Sequence, residues 1–295
     1  MSTLKRQAAP RIGRTTTRAV LLLAAFVIAS LGCGRNKDAT PADTGSLPTD
    51  FGWWTIKPQP PAPDQNGKVW LLGDEVTDAT LKELAAHNNL TSIVLCQTKV
   101  TDAGLKELAV QKNLTSLHLE GMPVTDEGMK ALARLKNLTH LYLLNNTKVT
   151  DAGFKELGTL TNLTTLSLHG TQEVTDEGFK ELARLKNLTV LRLSNTNVTD
   201  ESLKLFANFK MLKELDLSGT QVTDEGLKEL AALTKLTSLG LGDTQVTDEG
   251  LKKLVGLTNL TTLWVDGPNI TYSGVKELQK ALPKCVSSSD AWSRR

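Results

Sequence analysis

A unit of about 24 residues recurs along most of this chain, and it constrains the possible folds more than any other feature. Each unit is marked by an aliphatic residue followed by threonine and, in eight of nine cases, aspartate. Steps of 24 or 25 residues separate these markers, which are Val76, Val100, Val124, Val149, Val174, Val198, Val222, Val246 and Ile270. A fixed period of this length is typical of stacked repeat proteins. The sequence therefore predicts one elongated repeat domain, not two globular domains.

Each unit has the pattern of a short helix followed by a short strand. In the unit from Val222 to Gln245, Leu227 and Leu230 have helical spacing after a Thr-Asp pair that can cap a helix. Leu239 and Leu241 then alternate with small residues, which is the period of a strand. One unit buries too little apolar surface to fold alone, so neighbouring units must stack with parallel strands. The predicted fold class is α/β, an elongated repeat domain in which parallel strands form one sheet and short helices pack against it.

Composition limits both the core and the class of partner. Hydrophobic residues make up 40% of the chain but aromatic residues only 4%, which predicts an aliphatic core. The net charge of +2 includes five basic residues before Gly32, where no acidic residue stands. The rest of the chain therefore has 29 basic against 32 acidic residues, taken from totals of 34 and 32. This balance lacks the positive excess of a nucleic-acid binder, so we expect no nucleic-acid partner.

The N-terminus has the organisation of an export signal. Residues 1–18 are basic, and Ala19 to Leu31 form an uncharged apolar run. As a helix this run would span about 20 Å, less than the roughly 30 Å hydrocarbon core of a bilayer, as expected of a signal peptide. We predict a signal peptide at residues 1–32 and, because proline is dense after it, an extended Pro-rich tether at residues 33–67.

The end of the apolar run resembles a bacterial lipobox. Ala29-Ser30-Leu31-Gly32-Cys33 places small and aliphatic residues directly before a cysteine, although Ser30 stands where leucine is commoner. The resemblance implies that Cys33 is acylated and becomes the mature N-terminus, which would anchor the chain to a membrane. It implies a lipoprotein of the bacterial cell envelope, at the outer membrane or cell surface.

The repeat itself resembles the leucine-rich repeat family. Its pattern is L-x-x-L-x-L-x-x-T-x-V-T-D-x-G-L-x-x-L, and it is closest to the ribonuclease-inhibitor-like and cysteine-containing branches. The resemblance covers residues 68–286 and leaves a C-terminal tail at 287–295. It implies a horseshoe-shaped leucine-rich-repeat solenoid, with the parallel β-sheet on its concave face and the short helices on its convex face. Threonine stands where the family usually places asparagine or cysteine, at Thr98, Thr171, Thr196, Thr220 and Thr244.

A small residue stands four positions after each marker, usually glycine. Ser202 and Thr80 replace the glycine in two units, so a small side chain is sufficient there. We expect these positions to let each helix approach a strand closely. They do not predict a phosphate-binding loop.

The residues between the strand leucines point outward on the concave face, where the repeat does not constrain them. Aromatic, apolar and charged side chains gather there, and aromatics and arginine dominate the energy of protein binding. Tyr142 and Trp264 are the expected anchors, with a notch at Gly240 and Gly242 beside Trp264. We predict a protein or peptide ligand on this face. The candidate contact residues are Trp70, Val94, His118, Tyr142, Leu144, Arg192, Glu214, Asp216, Trp264 and Asp266.

Two alternatives compete with a binding scaffold. His118, His140 and His169, with Glu120, would be the residues of a metal-dependent or hydrolytic site. Strand geometry separates them, however, and the sequence has no P-loop, HExxH or GxSxG motif. We therefore expect a non-enzymatic protein with no catalytic residue, metal or cofactor. The second alternative is a purely structural component of the envelope.

Overall fold

The computed structural model describes residues 63–146 and 148–287, all within the unit Thr55–Arg295. The predicted signal peptide, Cys33, most of the predicted tether, and residues 288–295 of the predicted tail lie outside the described residues. In the described ranges strands and short helices alternate strictly. The strands are β1 (Lys68–Leu72), β2 (Ser92–Cys96), β3 (Ser116–Glu120), β4 (His140–Leu144), β5 (Thr165–Ser167), β6 (Val190–Arg192), β7 (Glu214–Asp216), β8 (Ser238–Gly240), β9 (Thr262–Trp264) and β10 (Val286–Ser287). The helices are α1 (Asp78–Leu84), α2 (Asp102–Leu108), α3 (Asp126–Leu132), α4 (Asp151–Leu157), α5 (Asp176–Leu182), α6 (Asp200–Phe206), α7 (Asp224–Leu230), α8 (Asp248–Lys252) and α9 (Tyr272–Ala281).

The ten strands form one parallel sheet in chain order, and its register does not shift from strand to strand. Val94 on β2 lies opposite His118 on β3, which lies opposite Tyr142 on β4. Equivalent residues of successive repeats therefore form straight rows across the sheet. The prediction of a parallel α/β solenoid is confirmed.

The helices begin where the Thr-Asp pairs predict. In α2 to α8 the threonine before the helix accepts a hydrogen bond from the second helical N–H, as Thr125 Oγ1 does from Glu127 N at 3.3 Å. The aspartate that follows places a negative charge at the positive end of the helix dipole. Helices of seven residues are too short to persist alone, so packing against the sheet must hold them.

The core lies between the sheet and the helices, and leucine dominates it. However, Phe154, Phe179, Phe206 and Phe209 are fully buried and form a continuous cluster. The ring centroids of Phe154 and Phe179 lie 5.5 Å apart, edge to face, and those of Phe179 and Phe206 lie 6.3 Å apart. The expectation of an aliphatic core is wrong in this part of the molecule, because four of only six phenylalanines are concentrated here.

The recurring glycines face the preceding helix and not a strand, so that prediction was wrong. A Cβ on Gly128 would lie 2.4 Å from Asp102 Oδ1. The Asp102 carboxylate accepts hydrogen bonds from Thr125 N at 2.9 Å and from Thr125 Oγ1 at 2.6 Å. We call this contact between helix starts the aspartate clamp. It recurs at Asp78–Thr101, Asp126–Thr150, Asp151–Thr175, Asp200–Thr223, Asp224–Thr247 and Asp248–Thr271.

Ser202 shows how the clamp tolerates a replacement for glycine. Its hydroxyl donates to Asp176 Oδ1, while Thr199 Oγ1 donates to Asp176 Oδ2 at 2.9 Å. A side chain is therefore accepted at this position when it supplies a hydrogen bond to the carboxylate it approaches.

A row of buried polar side chains follows the strands. The hydroxyls of Thr171 and Thr244 donate to the carbonyls three residues earlier, at 2.9 and 2.8 Å. In the fourth repeat Asn146 takes this place and donates to the Leu119 and Leu144 carbonyls at 3.0 and 3.2 Å. These bonds pair the buried hydroxyl and amide groups with backbone carbonyls of the same or the preceding strand-to-helix segment.

Candidate functional site

The candidate contact residues of the strands lie on the sheet surface that faces away from the helices, which we call the outward sheet face. Its middle row follows the unshifted register of the strands. The row comprises Trp70, Val94, His118, Tyr142, Ser167, Arg192, Asp216, Gly240 and Trp264. Leucines that alternate with these residues point into the core, which fixes the outward direction of the row.

One end of the outward sheet face is apolar. Trp70 is 41% exposed and Leu72 is 48% exposed, both on β1. Val94, Tyr142 and Leu144 continue this surface and are half-buried. Burial raises the pKa of the Tyr142 hydroxyl, so this group stays protonated at neutral pH. These five residues offer a partner a largely apolar contact area.

His118 lies in the middle row but is almost covered, with only 4% of its surface exposed. Its ring centroid is 5.4 Å from that of Tyr142, and its Nε2 is 3.4 Å from Glu120 Oε2. The Cys96 thiol donates to the same carboxylate oxygen at 3.3 Å. The hydrogen bond from His118 is the main cause that lowers the pKa of Glu120. His118 is therefore almost buried, in contact with Tyr142 and Glu120, and its role as a contact residue for a partner stays a prediction.

An ion pair occupies the centre of the outward sheet face. Arg192 Nε donates to Glu214 Oε1 at 2.6 Å, and the two side chains are 31% and 26% exposed. A partner that covers this pair would strengthen its attraction by excluding water, provided that the pair stays intact.

The expected notch beside Trp264 is partly filled. Asp216 Oδ1 accepts hydrogen bonds from Ser218 N at 3.0 Å and from Ser218 Oγ at 2.7 Å. In this position it lies 2.4 Å from where a Gly240 Cβ would stand, so the space at Gly240 holds the Asp216 carboxylate. At Gly242 the nearest atom to an added Cβ is 3.5 Å away. Trp264, which pairs with Gly240 in the strand register, is 40% exposed.

The three histidines of the alternative site bind different partners. His118 contacts Glu120, whereas His140 Nδ1 lies 2.8 Å from Thr139 Oγ1 and His169 Nδ1 lies 2.8 Å from Ser194 Oγ. Burial is the main cause that lowers the pKa of His169, which favours its neutral form. In residues 63–146 and 148–287 no three His, Cys, Asp or Glu side chains are placed to hold a metal ion. Of the four residues of the metal-dependent alternative, the structure brings His118 and Glu120 together, whereas His140 and His169 contact other side chains.

The contact between Cys96 and Glu120 was missed at the sequence level. Both residues occupy the same outward row, on β2 and β3, and a strictly constant strand register would have placed them side by side.

Within the described part of the chain, no helix has the length and apolar character needed to cross a membrane.

Comparison with known proteins identifies the repeat. A family model described as "Leucine Rich repeat" matches residues 110–133, 159–183, 184–207, 210–231 and 232–255. Among solved structures, internalin C2 from Listeria monocytogenes str. 4b F2365 is similar to this chain at 28% sequence identity. The match covers 72% of this chain and 84% of that chain, with a TM-score of 0.48. No curated protein sequence matches this chain significantly.

Proposed function

We propose that this leucine-rich repeat protein is a non-enzymatic binding scaffold of the bacterial cell envelope, which docks a protein or peptide on its outward sheet face. We further propose that an acylated Cys33 holds it at a membrane. Affinity would come from burying preformed anchor residues, and no bond would be made or broken.

The observation that carries the docking proposal is the partial exposure of large side chains along one straight row. Trp70, Tyr142 and Trp264 all belong to the middle row, and all retain accessible surface. A rigid sheet loses little conformational entropy when such side chains are covered. Aromatic side chains of this kind contribute most of the energy of protein interfaces.

The docking proposal predicts that Tyr142→Ala and Trp264→Ala each weaken capture of envelope proteins by about thirtyfold, the effect of a hot-spot residue. Capture would be measured with the immobilised full chain and solubilised native membranes, followed by quantitative mass spectrometry. The melting temperature should change little, because both side chains are partly solvent-exposed.

Tyr272→Ala is the matched control for these variants. Tyr272 is 45% exposed but lies on α9, where Lys276 Nζ is 5.2 Å from its ring centroid. Its replacement should leave capture unchanged. Equal capture by all three variants and the natural chain would reject Tyr142 and Trp264 as anchors.

The anchoring proposal predicts that Cys33→Ala abolishes incorporation of an acyl label and shifts the protein from the membrane to the soluble fraction. Two or three acyl chains give stable anchoring, so their loss should move most of the protein. Cys96→Ala, which changes a thiol in the repeats, should retain both label and membrane association. Label incorporation that persists in Cys33→Ala would contradict acylation at this residue.

A further inference from the structure

The two long edges of the repeat domain carry opposite charge. All helices run in the same direction, so every helix start lies at one edge, beside the strand ends. That edge carries the first-turn acids of α1 to α8, with Lys99 and Lys148 as its basic residues. The opposite edge consists of the corners that lead from each helix into the next strand, and we call it the basic edge. Its basic residues are Lys112, Arg134, Lys136, Arg184, Lys186, Lys210, Lys213, Lys235, Lys253 and Lys284.

The charges of the basic edge are accessible and largely uncompensated. All of these side chains except that of Lys253 belong to exposed residues, and the helix-to-strand corners that hold them contain no Asp or Glu. Within the described ranges, the ion pairs of this group are those of Arg184 with Glu181, at 3.3 Å, and of Lys253 with Glu225, at 3.0 Å. Helix dipoles favour basic residues at these helix ends, but they do not require several per corner.

The positions of these residues form a row. The corners from Lys112 to Lys235 precede β3 to β8, and five strand spacings of about 4.8 Å make a row about 24 Å long. Because the register does not shift, the corners line up along one side of the sheet. Eight positively charged residues therefore lie along one edge of the domain.

The chain enters the domain at the same edge. All strands run parallel and start at the basic edge, and β1 starts there at Lys68. The turn before it is fastened to the next corner, since Thr91 Oγ1 donates to Asn66 O at 2.6 Å. Asp64, an acid near this edge, accepts hydrogen bonds from Asn66 N and Lys68 N. Residues 34–62 join Cys33 to this entry point along the chain.

We propose that the basic edge lies against the anionic lipid headgroups of the membrane to which the chain is anchored. A planar anionic surface matches a straight row of lysines and arginines, each of which adds roughly fivefold to binding. In this orientation the outward sheet face is roughly perpendicular to the membrane plane, so it remains accessible to a partner. The inference rests on the proposed function only for the anchor at Cys33.

A nucleic acid fits this edge less well than a lipid surface. The described corners contain two aromatic rings, those of the buried Phe209 and the exposed His87. They therefore lack a row of exposed aromatic rings on which bases could stack. The edge also presents loops, whereas duplex DNA is usually read by a helix or ribbon placed in the major groove.

Lysine acetylation footprinting of the full chain on vesicles tests the proposal. On vesicles with about one third phosphatidylglycerol, we expect modification of Lys136, Lys186 and Lys210 to fall at least about fivefold relative to pure phosphatidylcholine vesicles. Lys155 and Lys204, which lie on helices, should change less than about twofold, and high salt should remove the difference. Equal modification of both lysine groups on anionic vesicles would overturn the proposal.

Charge reversal provides a second readout at Lys210, which is left intact. The variant with Arg134→Glu, Lys136→Glu, Arg184→Glu and Lys186→Glu should lose the protection of Lys210. A control variant with the same change in net charge reverses the charge of four lysines on the helices. This variant should keep the protection of Lys210, and it carries Lys82→Glu, Lys106→Glu, Lys130→Glu and Lys155→Glu.

Two further outcomes separate this inference from its rivals. Protection of the same lysines by a DNA duplex at matched phosphate concentration would assign the edge to polyanions in general and overturn the membrane proposal. Failure of the chain to float with phosphatidylcholine vesicles would count against the anchor. The comparison of lysines on anionic vesicles would still test the edge.

Discussion

Replacing Gly178 by valine is expected to lower the free energy of unfolding by about 3 kcal/mol or more. A Cβ at this position would lie 2.4 Å from Asp151 Oδ1 and 2.7 Å from Val174 Cγ1. Asp151 Oδ1 also accepts a hydrogen bond from Thr175 N at 2.8 Å, so displacement of the carboxylate would break the aspartate clamp. Urea unfolding of the purified variant and the natural chain would measure the loss.

Two control variants separate steric overlap from a general effect of removing glycine. Gly178→Ser should lose less stability than Gly178→Val, because Ser202 shows that a hydroxyl here can donate to the carboxylate it meets. Gly256→Val should cost less than about 0.5 kcal/mol, since an added Cβ meets no atom within 4 Å. If Gly178→Val and Gly256→Val are equally stable, the clamp does not hold the helices together.

Phe179→Ala should lower the free energy of unfolding by about 3 to 5 kcal/mol, the usual cost of a large cavity. The Phe179 ring is fully buried between those of Phe154 and Phe206, at the boundary of two repeats. Its removal would therefore eliminate the ring contacts with both Phe154 and Phe206. Denaturant unfolding followed by circular dichroism would measure the change.

Phe179→Leu is the conservative comparison, because leucine fills the equivalent position in later repeats, as at Leu227. We expect it to cost less than about 1.5 kcal/mol. Val110→Ala, at a side chain that is 65% exposed, should change stability by less than about 0.5 kcal/mol. A loss for Phe179→Ala no greater than that for Val110→Ala would show that the phenylalanine cluster does not join the repeats.

Periodicity was sufficient to predict the architecture, because each row of the sheet follows from counting 24 or 25 residues along the chain. The spacing of Val94, His118 and Tyr142 placed them on adjacent strands, as observed. The repeat also predicted the helix starts, since a threonine followed by aspartate has a local preference for the start of a helix.

Contacts between repeats were harder to predict, because a periodic pattern does not say which neighbouring element a residue faces. The glycines were expected to approach a strand, yet Gly128 faces Asp102 of the preceding helix. Burial within a row was missed for a related reason. His118 is almost fully buried and contacts Tyr142 and Glu120, and the Asp216 carboxylate lies beside Gly240, so exposure depends on the side chains of the neighbouring strands.

The aspartate clamp also has a consequence for how the length of such a molecule can change. Each interior unit supplies one carboxylate to the following unit and one threonine to the preceding unit, and most of these contacts use the same pair of hydrogen bonds. A duplicated unit would therefore find a compatible neighbour on either side, and a deleted one would leave two compatible ends. The length of the domain could therefore change by one repeat at a time while the contacts of the other repeats stay the same.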